Sequence, residues 1–193
     1  MPSSSTDSSR NRGRRSLIIL ALVCVAPLVA SYLFYYVWRP EGSRNYGELI
    51  PPAPVPEVAS PPDDDLQLGA LKGKWVMVVV DQGACPEACR ERLWLLRQLR
   101  LTQGKEMDRV ARAWVVIDEV PPDPALLAEH EGMVLLKPGQ VRGLMGLLEA
   151  RDARDHIFLV DPLGNLMMRF PANPDPNRMK KDLIHLLKVS RIG

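Results

Sequence analysis

An apolar run followed by two cysteines constrains the fold of this chain more than any other feature. Residues 74–81 read Lys-Trp-Val-Met-Val-Val-Val-Asp, the continuous apolar pattern of a strand that is buried on both faces of a sheet. A short turn with a glycine follows, and Pro86 then has the fixed φ angle that suits the start of a helix. The sequence therefore predicts a strand–turn–helix unit, with its helix over about 86–102.

The two cysteines of this unit lie where sulfur chemistry is expected. The pattern places Cys85 at the helix N-cap, where free N–H groups and the helix dipole favour a thiolate, and Cys89 lies one turn later on the same face. Two soft sulfur ligands suit Cu(I). The same pair can close a disulfide, because Cα atoms at i and i+4 of a helix lie roughly 6 Å apart. The residues alone leave metal binding, thiol exchange, a structural disulfide and inert buried cysteines open.

The N-terminal part of the chain predicts a membrane anchor. Residues 1–15 are rich in Ser, Asn and Arg and are expected to form a disordered cytoplasmic tail. Residues 16–38 carry no charged side chain, are long enough for one transmembrane helix and end in an aromatic belt. The arginines before this stretch place the N-terminus in the cytoplasm. The run is too long for a signal-peptide core, so we expect an uncleaved anchor, with Cys24 as an apolar residue within it.

Residues 39–68 are expected to be a linker, because they are rich in proline and include the run Asp63-Asp64-Asp65. The whole chain is 46% hydrophobic and 25% charged, which is typical of a globular protein. Its formal net charge is only +2, and no basic stripe is interleaved with aromatic residues. We therefore expect no nucleic-acid partner.

Residues 69–193 alternate strands with helices. After the first unit, the periodicity predicts strands over 112–118, 133–136, 156–161 and 166–170, and helices over 125–131, 138–150 and 176–189. The turn that begins at Asp161 predicts a hairpin between the last two strands. Two βαβ-type crossovers, a closing hairpin and a final helix make an α/β sandwich.

Four pieces of the sequence together match a known family. They are a single N-terminal anchor, Gly73-Lys-Trp75 before the first core strand, the motif Cys85-Pro-Glu-Ala-Cys89, and the segment Asp155-His156 to Asp161-Pro-Leu-Gly164. The order of elements resembles a thioredoxin fold, and over roughly residues 69–190 the details resemble the Sco/SenC family of membrane-anchored proteins that deliver copper to cytochrome c oxidase. The resemblance implies a thioredoxin-like sandwich, with a central mixed sheet flanked by helices and preceded by one transmembrane helix.

The resemblance also implies a copper site. Its ligands would be Cys85, Cys89 and His156, although His156 follows a shorter loop than its counterpart in the family. Two thiolates and an imidazole form a soft ligand set that suits Cu(I) and is usable by Cu(II). Among the other candidates, His130 and His185 are expected on the surface. Asp81 begins the turn before the motif, and both an orienting role and no role there stay open for it.

Three hypotheses for the function follow. The first is a copper-handling factor in the bacterial inner membrane, with its C-terminal domain in the periplasm, that assists cytochrome c oxidase assembly; its partner would be an oxidase subunit or another copper or thiol assembly protein. The second is a membrane-tethered thiol–disulfide oxidoreductase, with Cys85 as nucleophile and Cys89 as resolving residue. The third is a non-catalytic thioredoxin-like docking module. The sequence holds no phosphate loop, GxSxG or HExxH motif, so hydrolases and nucleotide-dependent enzymes have no residues to support them.

Overall fold

The computed structural model of the chain describes residues 6–36, 45–55, 71, 73–137, 142–149, 153–190 and 192. The chain divides into two compact units, Met1–Gly42 and Ser43–Gly193, which are described separately here.

The first unit contains one helix, α1 (Thr6–Tyr36). Its segment Arg14–Tyr36 is long and apolar enough to cross a membrane, by length and composition. The predicted span over 16–38 agrees with this segment, while its last two residues lie outside the described part of the chain. The helix begins inside the stretch expected to be a disordered tail, because extending an existing helix costs far less free energy than nucleating one.

The second unit is built on a mixed sheet of six strands. These are β1 (Glu48–Pro54), β2 (Trp75–Asp81), β3 (Val110–Val116), β4 (Met133–Leu136), β5 (His156–Val160) and β6 (Asn165–Pro171), in the spatial order β1-β6-β5-β2-β3-β4. The pairs β2–β3 and β3–β4 are parallel, and the other pairs are antiparallel. This topology confirms the predicted α/β sandwich.

Four helices complete the unit. They are α2 (Glu87–Leu101), α3 (Pro124–Glu129), α4 (Arg142–Glu149) and α5 (Pro176–Val189), with 3₁₀ turns at Gly104–Arg109 and Ala153–Asp155. Each lies where the periodicity predicted a helix. The first residues of the helix predicted over 138–150 lie outside the described chain.

Two cores lie on opposite faces of the sheet, and β2 contributes to both because all of its residues are buried. On one face, called the α2 face below, Trp75, Met77 and Val79 pack with the buried sides of α2 and α5. On the other, called the α4 face, Val76, Val78 and Val80 pack with Leu144 and Leu148 of α4. Covering on both sides explains why β2 reads as a continuous apolar run.

The structure corrects part of the linker that was expected over residues 39–68, namely residues 48–54. This segment is β1, which pairs with β6 at the edge of the sheet and buries Ile50 in the core of the α4 face. An edge strand pairs with a neighbouring strand on one side only. Proline is tolerated there at positions where the backbone N–H would point away from that neighbour. The prolines that suggested a linker are therefore compatible with a strand.

The residues just before β1 are also held in place, by α5. The backbone N–H of Gly47 donates to the Asp182 carboxylate at 2.8 Å. The Tyr46 hydroxyl accepts a hydrogen bond from the N–H of Asp175 at 3.0 Å, and the Arg178 guanidinium lies over the Tyr46 ring at 4.2 Å. The folded unit therefore extends well before the predicted domain start at residue 69.

Candidate functional site

The turn between β2 and α2 determines where the first cysteine lies. Pro86 is the N-cap of α2, with extended backbone (φ −62°, ψ 172°), so Cys85 precedes the cap and lies one residue earlier than predicted. Cys85 has φ +43°, in the left-handed region that is uncommon for a side-chain-bearing residue. Its N–H donates to the carbonyl of Gln82 at 3.1 Å, which closes the turn. This conformation turns the Cys85 side chain inward, beneath the first turn of α2.

The two cysteines are joined by a disulfide. Their Cα atoms lie 5.1 Å apart, and the Cys89 N–H donates to the carbonyl of Pro86 at 2.8 Å. Cys85 is 1% exposed and Cys89 is fully buried, and both belong to the core of the α2 face. A partner can therefore reach either sulfur only after a local movement of the turn.

His156 lies on the other face of the sheet. It is the first residue of β5, and its ring is 6.1 Å from that of Phe158, which packs in the core of the α4 face. Ile157 and Leu159, at the alternate positions, pack on the α2 face. Side chains alternate between faces along a strand, so the register of β5 directs His156 away from the sulfurs. The structure does not bring His156 to the cysteine pair.

The short loop before β5 explains this placement. The 3₁₀ turn Ala153–Asp155 leads directly into the strand, and His156 is already paired with Pro171 of β6. In the described part of the chain, no group of three or more His, Cys, Asp or Glu side chains is arranged to hold a metal ion. The cysteine pair is thus a site of two sulfurs.

A buried ion pair lies beside the cysteine motif. Asp81, at the end of β2, is 1% exposed and accepts a hydrogen bond from Nη2 of Arg92 in α2. Arg92 also donates to the carbonyl of Arg154 at 2.7 Å and to that of Ala88 at 3.2 Å. Asp81 was one candidate for orienting the motif, whereas Arg92 was missed. The sequence signal that could have identified Arg92 is its position on the inward face of an amphipathic helix.

Gly83 allows the turn between β2 and α2 to pack closely against the loop that follows β3. The N–H of Gly83 donates to the Asp118 carboxylate at 2.8 Å. A Cβ at Gly83 would lie 1.7 Å from the carbonyl oxygen of Val120, far inside van der Waals contact. The segment that carries Cys85 is therefore packed against the loop that follows β3.

Residues 75–190 match the family model described as "Transmembrane-like, thioredoxin-like, C-terminal domain". The match covers more than half of the chain. The chain belongs to this family. No curated protein of known function matches this chain in sequence.

Solved structures of Sco proteins share the fold of this transmembrane-like, thioredoxin-like protein. Copper-bound yeast Sco1 is 17% identical, with a TM-score of 0.51 over 77% of this chain and 96% of that one. Apo Sco1 from Thermus thermophilus is 21% identical, with a TM-score of 0.51 over 76% and 98%. Copper-bound ScoI from Arabidopsis thaliana is 15% identical, with a TM-score of 0.50 over 63% and 88%. These likenesses support the Sco/SenC resemblance at the level of the fold.

In this family member a groove of about 1120 Å³ runs along α2 from the cysteine motif. Pro86 and Ala88 line it at the start of the helix, and the half-exposed ring of Trp94 lines it further on. The groove gives a partner access to the first turn of α2, although the sulfurs themselves are covered.

The remaining histidines differ in burial. His185 is exposed, as expected, but His130 is only 4% exposed, which corrects the expected surface position. Burial lowers the pKa of His130, and the positive charges of Arg112 and Arg97 lower it further against the opposing effect of Glu129. These surroundings therefore favour the neutral form of His130.

Proposed function

We propose that this protein is a membrane-anchored thiol–disulfide protein whose Cys85–Cys89 pair cycles between a dithiol and a disulfide during the assembly of cytochrome c oxidase. One observation carries the proposal: the two cysteines are bonded to each other at the strand–helix junction of a thioredoxin-like fold. In the part of the chain that the structure describes, no His, Asp or Glu joins the two cysteines in a metal-binding group, which favours thiol exchange over a copper site with a histidine as third ligand.

The reaction needs only the two sulfurs and a partner disulfide. In the reduced protein the Cys85 thiolate attacks one partner sulfur, which forms a mixed disulfide and releases the first partner thiolate. The Cys89 thiolate then attacks the sulfur of Cys85, which closes the Cys85–Cys89 disulfide and releases the second partner thiolate. Two electrons pass to the partner, and the released thiolates take up the two protons lost by the dithiol. A dithiol reductant of the same compartment restores the reduced pair.

The position at the membrane supports a role outside the cytoplasm. The arginines that precede the apolar segment of α1 favour a cytoplasmic N-terminus by the positive-inside rule. The C-terminal unit would then lie in the periplasm of a bacterial cell, where disulfides form and persist. Its partner would be an oxidase subunit or another copper or thiol assembly protein.

Copper binding by the reduced pair is the second candidate function. The backbone holds the two cysteines close enough to bond, so their thiolates can bind one Cu(I) ion between them. The copper-bound yeast Sco1 structure has a similar fold. In this function copper is a cargo that the pair transfers to an oxidase subunit, and His156 contributes no bond to it.

The first test is the reduction potential of the pair in the full-length protein in detergent. The Cys24→Ser variant is the starting protein, because Cys24 is a free cysteine in α1. After equilibration with thiol buffers and alkylation, we expect a two-electron midpoint in the range of about −120 to −270 mV, typical of exchanging dithiols. A midpoint below about −300 mV, the range of structural disulfides, would contradict the proposal.

Copper binding is tested on the same reduced protein by Cu(I) competition. We expect one Cu(I) ion that is lost in Cys85→Ser and Cys89→Ser and retained in His156→Ala. A large loss with His156→Ala would contradict the placement of His156. If the pair neither exchanges nor binds copper, the docking-module hypothesis is favoured instead.

A further inference from the structure

A second polar cluster lies on the α2 face, away from the cysteines. Arg112 of β3 is 4% exposed, and its Nη2 donates to the carbonyl of Glu131 at 2.6 Å. Its Nε and Nη1 atoms are buried and have no hydrogen-bond partner among the residues that the structure describes. Among the described residues no carboxylate forms an ion pair with Arg112. A buried guanidinium with neither counterion nor full hydrogen bonding is strongly unfavourable, so the cluster lacks an acceptor.

A cavity of about 290 Å³ opens beside this guanidinium. Its charged lining consists of Arg97, Arg100 and Arg112 together with Glu129 and Glu131. Arg100 is already bonded, through Nε to the carbonyl of Val110 at 2.9 Å and through Nη2 to Asp108 at 3.2 Å. Arg97 is exposed at the mouth of the cavity. Three guanidinium groups therefore converge on a space that holds more than a single water molecule.

The Arg112 guanidinium lies among other positive charges. Burial lowers the pKa of Arg112, and the charges of Arg100 and Arg97 lower it further. Among the residues that the structure describes, the Arg112 guanidinium therefore lacks both a negatively charged partner and acceptors for Nε and Nη1.

We propose that Arg112 is the base of an anion site that binds a small phosphate-bearing ligand. A phosphate group consists of acceptor oxygens with up to two negative charges, and guanidinium groups are the side chains best matched to it. Water can satisfy the free N–H groups but leaves the buried charge without a counterion. Glu129 and Glu131, which also line the cavity, disfavour large polyanions and so select a small ligand. The source is either a soluble phosphate compound or the headgroup of an anionic lipid.

Inorganic phosphate is the first probe, applied to the full-length protein in a non-ionic detergent. At constant ionic strength, phosphate should raise the unfolding temperature in a saturable way, whereas chloride should not. The Arg112→Met variant should lose at least about tenfold in phosphate affinity, because a charged hydrogen-bonding partner is removed. Arg97→Gln should weaken binding to a smaller extent. Lys105→Gln is the matched control, since it removes one positive charge at a residue that does not line the cavity.

Two further arms complete the test. Nanodiscs that contain phosphatidylglycerol, compared with nanodiscs of phosphatidylcholine alone, separate the two sources. A gain in thermal stability that is seen only with phosphatidylglycerol and requires Arg112 assigns the lipid headgroup. Saturable binding of free phosphate assigns the soluble compound. Equal responses of the wild type and Arg112→Met would overturn the proposal, provided that Arg112→Met remains folded by circular dichroism. If Arg112→Met does not fold, equal phosphate binding by the wild type and Arg97→Gln overturns it. Acetate that binds as tightly as phosphate would overturn the phosphate assignment.

Discussion

Arg92 of α2 and Asp81 at the end of β2 form an ion pair whose side chains are 9% and 1% exposed. Arg92 lies one turn after Cys89, and it also bonds to the carbonyl of Arg154 in the turn before β5. The pair thus joins three segments around the cysteine motif: the end of β2, the start of α2 and the 3₁₀ turn.

Breaking this pair should destabilise the domain strongly. Asp81→Leu leaves the Arg92 guanidinium buried without its main counterion, and we expect a loss of about 3–5 kcal/mol in the free energy of unfolding. Arg92→Met should cost less, because Asp81 keeps a second ion-pair partner in Arg154 at 3.5 Å. The double variant should recover most of the Asp81→Leu loss, because removing both charges removes the desolvation cost. Urea unfolding measures all three variants. Glu91→Gln, an exposed neighbour in α2, is the control and should change stability by less than about 0.5 kcal/mol. A single variant that behaves like the control would show that the pair does not stabilise the fold.

Substitution of Gly83 should disturb the turn that carries Cys85. The Cβ of Gly83→Ala would overlap the carbonyl oxygen of Val120, so we expect a loss of about 1–3 kcal/mol and faster reduction of the disulfide by dithiothreitol. Gly146→Ala is the matched control, because its Cβ meets no atom within 4 Å in α4. That variant should be as stable as the wild type or more stable by up to about 1 kcal/mol. Similar behaviour of the two variants in thermal unfolding would argue against close packing at Gly83.

The position of β1 predicts where the domain can be truncated. A chain that begins at residue 45 retains β1 and the Tyr46 contacts, whereas one that begins at residue 66 exposes the edge of β6 and loses the burial of Ile50. Loss of the Ile50 contact alone should cost about 1.5–3 kcal/mol. The bare strand edge should also promote self-association. Size-exclusion chromatography and urea unfolding compare the two proteins, and equal stability would mean that β1 adds nothing to the sheet.

Acidification should destabilise the protein through His130. The pKa of His130 is lowered from its ordinary value of 6.5 by burial first and then by Arg112 and Arg97, and Glu129 opposes the shift. The unfolded state therefore binds more protons between the two pKa values, so the contribution of His130 is complete above pH 6.5 and is lost as the pH falls through its folded value.

Unfolding free energies in phosphate-free buffer between pH 7 and pH 5 measure this effect. The pKa of Glu48, which the hydrogen bond from Arg169 lowers from 4.5, affects stability at more acidic pH and does not obscure the result. His130→Leu should flatten the pH dependence, while the exposed control His185→Gln should keep it. A slope that His130→Leu leaves unchanged would assign the effect to other groups.

Most elements of the fold could be predicted because their signals are local. The continuous apolar run of β2, the hairpin turn after Asp161 and the amphipathic pattern of α5 each depend on neighbouring residues. The same reasoning failed for β1, where prolines suggested a linker. Proline is tolerated in β1 because β1 is an edge strand that, among the described strands, pairs only with β6. That pairing joins segments that are distant in the sequence, so local patterns do not reveal it.

The sequence by itself determined the order of the strands and α-helices after residue 69. It also determined the proximity of Cys85 and Cys89, since a separation of four residues across a helix start holds two side chains together whatever the rest of the chain does. Only the tertiary structure decided that His156 lies on the face opposite the cysteines, because the register of β5 against β6 sets the direction of every side chain along the strand. It also decided that Arg92 and Arg112 are buried, and that within the described residues Arg92 has a carboxylate partner and Arg112 has none. Burial depends on which segments pack over a side chain, and those segments are distant in the sequence.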